Sequence, residues 1–114
     1  MITVRQLERL WQEKAFSRMS ALLLEMRPES SVRLAQELAR PTPIAALAII
    51  RLDELAQAHS PFCSRMIRTI LAAVVHPHDV QLAGTNLYRT RARFGLSKGG
   101  LDVLRRARLE LDRQ

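Results

Sequence analysis

The sequence predicts an all-α protein, a compact bundle of six to seven short helices, on three observations. Hydrophobic residues make up 47% of the 114 positions but aromatic residues only 4%, so a core of Leu, Ile, Ala and Met is expected, and that mixture favours helices. Apolar residues recur at helical spacing along most of the chain. Two pairs of a capping residue followed by proline, Thr42-Pro43 and Ser60-Pro61, are typical of helix starts.

The first two helices are predicted from caps and apolar stripes. Thr3 and Gln6 fit a capping box, which begins a helix over roughly 4–15. Ser17 is the expected cap of the second helix, which stops before Pro28. The stripes that these helices would bury are Val4, Leu7, Leu10 and Trp11 in the first and Met19, Leu22, Leu23 and Met26 in the second.

The third and fourth helices are separated by prolines. Ser30 or Ser31 is predicted to cap a short helix that runs through Ala39. The next helix begins with Thr42 as N-cap and Pro43 at the first helical position, where a missing N–H has no cost. Because this helix is apolar nearly all round for two turns, we expect it to be the central helix.

A fifth helix is predicted to open at Ser60-Pro61 and to end at His76-Pro77, with Asp79 available to cap the next element. Its apolar stripe and that of the central helix are both too broad for a surface. The sequence therefore predicts that both helices bury their large apolar side chains, namely Leu47, Ile50, Leu52, Leu55, Ile67, Ile70 and Leu71.

We expect one domain, with residues 1–78 as the helical core and residues 79–114 as a basic helical segment packed on it. Residues 85–94 fit two patterns, since an interrupted helix and an alternating strand both match "LYRTRARF". After Gly95, Ser97 is predicted to cap a last helix. The residues that this helix would bury are Leu101, Leu104, Ala107 and Leu111.

The positive charge is concentrated near the C-terminus. The chain has a net charge of +7, and residues 85–108 contain seven cationic residues against a single acidic one, Asp102. Such a balance points to an acidic partner, which could be nucleic acid, an anionic membrane surface or an acidic protein. A general bias towards Arg on ordinary surfaces explains the same composition without a partner.

One stretch of this basic segment resembles the helix-turn-helix of DNA-binding regulators. Phe94, Gly95, Leu96 and Ser97 supply the apolar residue, turn glycine, apolar residue and cap of such a turn, within a resemblance that covers about residues 85–108. It implies that Lys98, Gly99, Asp102 and Arg105 face the major groove, while Arg89, Arg93 and Arg106 reach phosphates. Thr90 and Arg91 depart from the family pattern, which has an apolar residue and a small Ala there. The predicted nucleic-acid-binding residues are Arg89, Arg91, Arg93, Lys98, Arg105, Arg106 and Arg108.

No catalytic residue, metal ligand or cofactor is predicted. His76, His78 and Asp79 imitate a metal-ligand cluster, but a helix end followed by a capping Asp explains them equally. His59 and Cys63 stand one helical turn apart, a spacing that suits an activated thiol, although a buried and inert Cys is the commoner case. We therefore expect a protein that is not an enzyme.

Two function classes are favoured over a third, a helical enzyme or metal protein. The first is a small basic helical nucleic-acid-binding protein, with DNA a more favoured partner than RNA and with a homodimer possible. The alternative is a protein-interaction module, an adaptor, chaperone or regulator with an apolar groove between its helices. The longest apolar run, Ile44 to Ile50, is too short to span a membrane, and the N-terminus does not resemble a signal peptide, so a cytoplasmic location is expected.

Overall fold

Six α-helices and one π-helical turn make up the part of the protein that the computed structural model describes, residues 2–60, 63–75 and 98–113. Among these residues there is no strand, and the predicted all-α bundle is confirmed. The helices are α1 (Val4–Gln12), α2 (Phe16–Leu24), α3 (Pro28–Leu38), α4 (Pro43–Glu54), α5 (Ser64–Val75) and α6 (Lys98–Asp112), and the π-helical turn Leu55–His59 continues α4. The choice between helix and strand for residues 85–94 and the caps predicted at Asp79 and Ser97 lie outside the described residues.

Helix α4 is central, as its sequence predicts. It packs against α1, α3, α5 and α6. Its start is also confirmed, since Thr42 is the N-cap, its hydroxyl accepts a hydrogen bond from the Ala45 N–H at 3.3 Å, and Pro43 occupies the first turn. The cap satisfies one of the N–H groups that a helix start leaves unpaired.

Helix α1 ends earlier than predicted, at Gln12 rather than near residue 15. Lys14 has a φ of 55°, in the left-handed region. The Lys14 N–H donates to the Trp11 carbonyl and the Ala15 N–H donates to the Leu10 carbonyl, both at 2.9 Å. These two bonds form a Schellman motif, which terminates a helix.

The predicted cap of α2 is also wrong, because the turn that ends α1 fixes where α2 begins. The turn at the end of α1 leads directly into α2, which begins at Phe16 with Ala15 as N-cap and no side-chain cap. Ser17 therefore lies inside the helix, where it is exposed.

The start predicted for α3 is also wrong. The helix begins at Pro28, with Arg27 extended before it, as a residue preceding proline prefers. Ser31 is buried within the helix, and its hydroxyl donates to the Arg27 carbonyl at 3.3 Å. A proline at the first helical position outweighed the serines as the start signal.

The predicted core is confirmed except at two positions on α4. Leu52, Leu55, Ile67, Ile70 and Leu71 are buried, whereas Leu47 and Ile50 are only half-buried. The first two turns of α4 are apolar nearly all round and so have no polar face to set their rotation. In this half of α4 the side that faces inward is formed by small side chains and one β-branched residue. The buried residues are Ala45, Ala46, Ala48 and Ile49. The other apolar side chains lie beside them, and Ile44 is exposed.

Helix α6 belongs to the same core as the N-terminal helices. Val103, Leu104 and Ala107 are buried in that core, with Leu111 partly buried against it. The helix packs against α4 and α5. Leu104, Ala107 and Leu111 were predicted to face inward; burial of Val103 was not predicted.

The described helices include none that is both long enough and apolar enough to cross a membrane.

Candidate functional site

Helix α6 places three of the predicted nucleic-acid-binding residues on the protein surface. Arg105, Arg106 and Arg108 are exposed, on the part of the helix surface that the buried Val103 and Ala107 leave uncovered. We call these three arginines the basic face of α6. Because the opposite side is buried, the backbone that bears the arginines is held in place by the core.

Carboxylates on the same helix engage only some of its arginines. Arg105 Nη1 lies 3.6 Å from Asp102 Oδ1, and the two side chains are 74% and 41% exposed. Such an exposed pair contributes little to stability and leaves the guanidinium accessible. Arg106 and Arg108 form no ion pair with any residue that the structure describes. Two of the three guanidiniums are therefore available to an anion without breaking an existing pair.

The other predicted site residues have no described side-chain positions. Arg89, Arg91 and Arg93 lie outside the described residues, as does the turn from Phe94 to Ser97. Lys98 begins α6, but its side chain is not among those described. The helix-turn-helix resemblance therefore remains a prediction.

A groove runs beside the basic face, between α6 and the turn that joins α3 to α4. Its volume is about 340 Å³. Buried apolar side chains line its floor, namely Leu38, Ala46, Ile49, Val103 and Ala107. Arg40 stands on one bank and Arg106 and Arg113 on the other, with Glu110 beside them. We call this feature the α6 groove.

Sequence reasoning missed a second cluster of chemically active side chains, on α1, α2 and the end of α4. The guanidinium carbon of Arg51 lies 4.9 Å from the centroid of the Trp11 ring. The His59 ring stacks on Phe16 with 4.0 Å between centroids and 9° between planes, and Trp11 meets Phe16 edge-on at 5.1 Å. The sequence shows that these aromatic side chains exist, but it contains no local pattern that predicts a contact between His59 and residues 11 and 16.

The two members of the possible thiol site lie in different environments. Cys63 is fully buried, and its Sγ lies 3.0 Å from the Ser60 hydroxyl and 3.5 Å from the Ser60 carbonyl oxygen. His59 is exposed and engaged with Phe16. A buried thiol held by serine is a packing group, which agrees with the commoner alternative weighed from the sequence.

No arrangement for metal binding or acid–base chemistry is found in the described ranges. These ranges hold no group of three or more His, Cys, Asp or Glu side chains that could bind a metal ion, and the predicted imitation of such a cluster, His76, His78 and Asp79, lies outside them. Asp53 is buried and accepts a hydrogen bond from Gln57 Nε2 at 3.0 Å, while Glu54 is exposed. These neighbouring carboxylates thus lie in different environments.

Comparison with known proteins finds no matching family, no matching characterised protein and no matching solved structure.

Proposed function

We propose that the protein binds nucleic acid through contacts between the arginines of α6 and backbone phosphates. The observation that carries the proposal is the basic face, Arg105, Arg106 and Arg108, exposed on a helix whose other side is fixed in the core. A guanidinium is always charged and donates paired hydrogen bonds to phosphate oxygens. Phosphate contacts of this kind supply most of the affinity in non-specific binding.

The overall charge supports the same partner. A chain with a net charge of +7 attracts a polyanion over a distance and speeds their encounter at low salt. We propose that Arg89, Arg91, Arg93 and Lys98 extend the contact surface, and that duplex DNA is the preferred form, as the helix-turn-helix resemblance of α6 and the preceding residues implies.

Fluorescence anisotropy with random duplex DNA and with RNA, over a salt series, tests the proposal. If four or five cations contact phosphates, the slope of log K against log salt is expected to be about −4 on duplex DNA. Affinity should then fall by more than about a hundredfold between roughly 50 and 200 mM salt. Weak binding that does not saturate at about 150 mM salt would contradict the proposal.

A double variant assigns the binding to α6. Replacing Arg105 and Arg106 by Ala should make the slope shallower by about two units, since each phosphate contact contributes about 0.9. The fold should persist because both side chains are exposed. The matched control replaces Arg5 and Arg18, which are exposed on α1 and α2, and removes the same charge. An equal change in both double variants would show a net-charge effect in place of a site.

The alternative, a protein-interaction module, predicts that arginines of the C-terminal segment pair with acidic residues of the N-terminal helices. In the structure Glu8 pairs with Arg51 instead, and Glu37 accepts a hydrogen bond from the Val4 N–H at 3.2 Å. Neither carboxylate neutralises the basic face, which favours nucleic acid. The α6 groove is the observation that supports this alternative.

A further inference from the structure

The α6 groove follows helix α6. Its lining residues run along α6 from Val103 to Arg113, a length of about 15 Å at about 1.5 Å per residue. Its volume of about 340 Å³ is that of a site for one small molecule. The groove thus suits a small ligand that extends along α6.

The apolar lining of the groove indicates the chemistry of that ligand. All five floor residues, Leu38, Ala46, Ile49, Val103 and Ala107, are apolar and buried. Leu109, which is 54% exposed, adds an apolar edge. Such a lining gains free energy by covering apolar surface and offers a polar main chain few partners. The favoured occupant is an aliphatic chain.

The charged residues at the edge of the groove indicate the charge of the polar end of the ligand. Arg40 and Arg106 face the groove from opposite banks and form no ion pair within the described part of the chain. Arg113 Nη1 is 3.9 Å from Glu110 Oε2, so Glu110 offsets one of the three cations. The rim therefore retains positive charge, which complements an anion.

We propose that the α6 groove binds a single-chain amphiphile with an anionic head, its aliphatic chain on the floor and its head at Arg40 and Arg106. The volume of the groove, about 340 Å³, lies at the lower end of the range for small-molecule sites, roughly 300–1,000 Å³. This site goes beyond nucleic-acid binding and does not depend on it, although Arg106 belongs to both surfaces.

Isothermal titration calorimetry with decanoate, in the absence of nucleic acid, tests the site. Decanoate is expected to bind at one site per chain. Octanoate should bind about tenfold more weakly, because it buries two fewer methylenes, and decanol should bind about tenfold more weakly, because it lacks the charge that the arginines pair with. Equal affinity for decanol and decanoate would overturn the assignment of the head group.

Variants locate the ligand. Arg40→Gln together with Arg106→Gln should lower decanoate affinity about tenfold and leave decanol affinity unchanged. The control, Arg5→Gln with Arg18→Gln, makes the same change in net charge and should leave decanoate affinity unchanged. Leu109→Glu, a substitution at an exposed position, should weaken decanoate binding by placing a like charge at the groove.

Amide chemical shifts give a readout that does not rely on variants. Decanoate should shift the amide signals of Ala46, Val103 and Ala107, which line the groove. Shifts confined to other residues would overturn the proposal, as would decanoate affinity that is unaffected by the Arg40/Arg106 pair of substitutions. Arg105→Ala with Arg108→Ala should reduce DNA binding and leave decanoate binding intact, so failure of one proposal is distinguishable from failure of the other.

Discussion

Arg51 and Glu8, 43 residues apart in sequence, form a two-pronged ion pair that joins α4 to α1. Arg51 Nε lies 2.8 Å from Glu8 Oε2 and Arg51 Nη2 lies 3.2 Å from Glu8 Oε1. The side chains are only 20% and 23% exposed, and the guanidinium also covers the Trp11 ring. Bidentate geometry and partial burial make this pair stronger than an ordinary surface ion pair.

Arg51→Lys should lower the free energy of unfolding by about 0.5–1.5 kcal/mol, because an ammonium group keeps the charge but loses the bidentate contact and the flat stacking surface. Urea denaturation measures the change. A double-mutant cycle of Arg51→Gln with Glu8→Gln, in which each single change removes the ion pair, isolates the pairwise interaction, for which we expect a coupling of about 1 kcal/mol. A coupling near zero would show that the contact with Trp11, not the ion pair, stabilises this junction.

Lys14→Gly should stabilise the protein by about 0.5–1 kcal/mol. Lys14 holds a left-handed conformation, with a φ of 55°, which costs a residue with a Cβ about 1–2 kcal/mol, and glycine avoids most of that cost. The side chain is exposed, so no packing is lost. Thermal unfolding measures the effect, and Glu13→Gly is the control, because Glu13 has a φ of −77° and gains nothing from glycine. A lower melting temperature for Lys14→Gly than for Glu13→Gly would contradict this account of the helix end.

Leu52→Ala should cost about 2–5 kcal/mol of unfolding free energy, because Leu52 is fully buried and its truncation leaves a cavity. Leu47→Ala, on the same helix, should cost less, about 1–2 kcal/mol, because Leu47 is only half-buried and loses less apolar contact. Urea denaturation of both variants checks the order. Equal losses would mean that Leu47 is covered in solution, either by residues outside the described ranges or by a second molecule.

Cys63 should resist a thiol reagent in the native protein and react at once in denaturant, because its side chain has no exposure and its Sγ is held by Ser60. The rate of labelling by a chromogenic disulfide, measured against urea concentration, should follow the unfolding transition. Rapid labelling without urea would reopen a catalytic or redox role for this residue.

Local signals identified helix types and some helix boundaries. The start of α4 was predictable because both Thr42 and Pro43 act through groups within a few residues of themselves. The starts of α2 and α3 were not, because the caps expected at Ser17 and Ser31 were displaced by the turn at Lys14 and by Pro28. The residue at which each helix begins depends on the direction of the chain that precedes it, and that direction is set by packing.

The sequence by itself determined the helical class, the central place of α4 and the exposure of Arg105, Arg106 and Arg108, because composition, capping and apolar periodicity act over one or two turns. Only the tertiary structure decided the rotation of α4, the Glu8–Arg51 contact and the α6 groove. The physical reason is that a helix whose first two turns are apolar nearly all round can turn any side of them inward, and the side it turns is chosen by the shapes of helices that are distant in sequence. The α6 groove likewise exists only after α6 has packed beside the turn that joins α3 to α4.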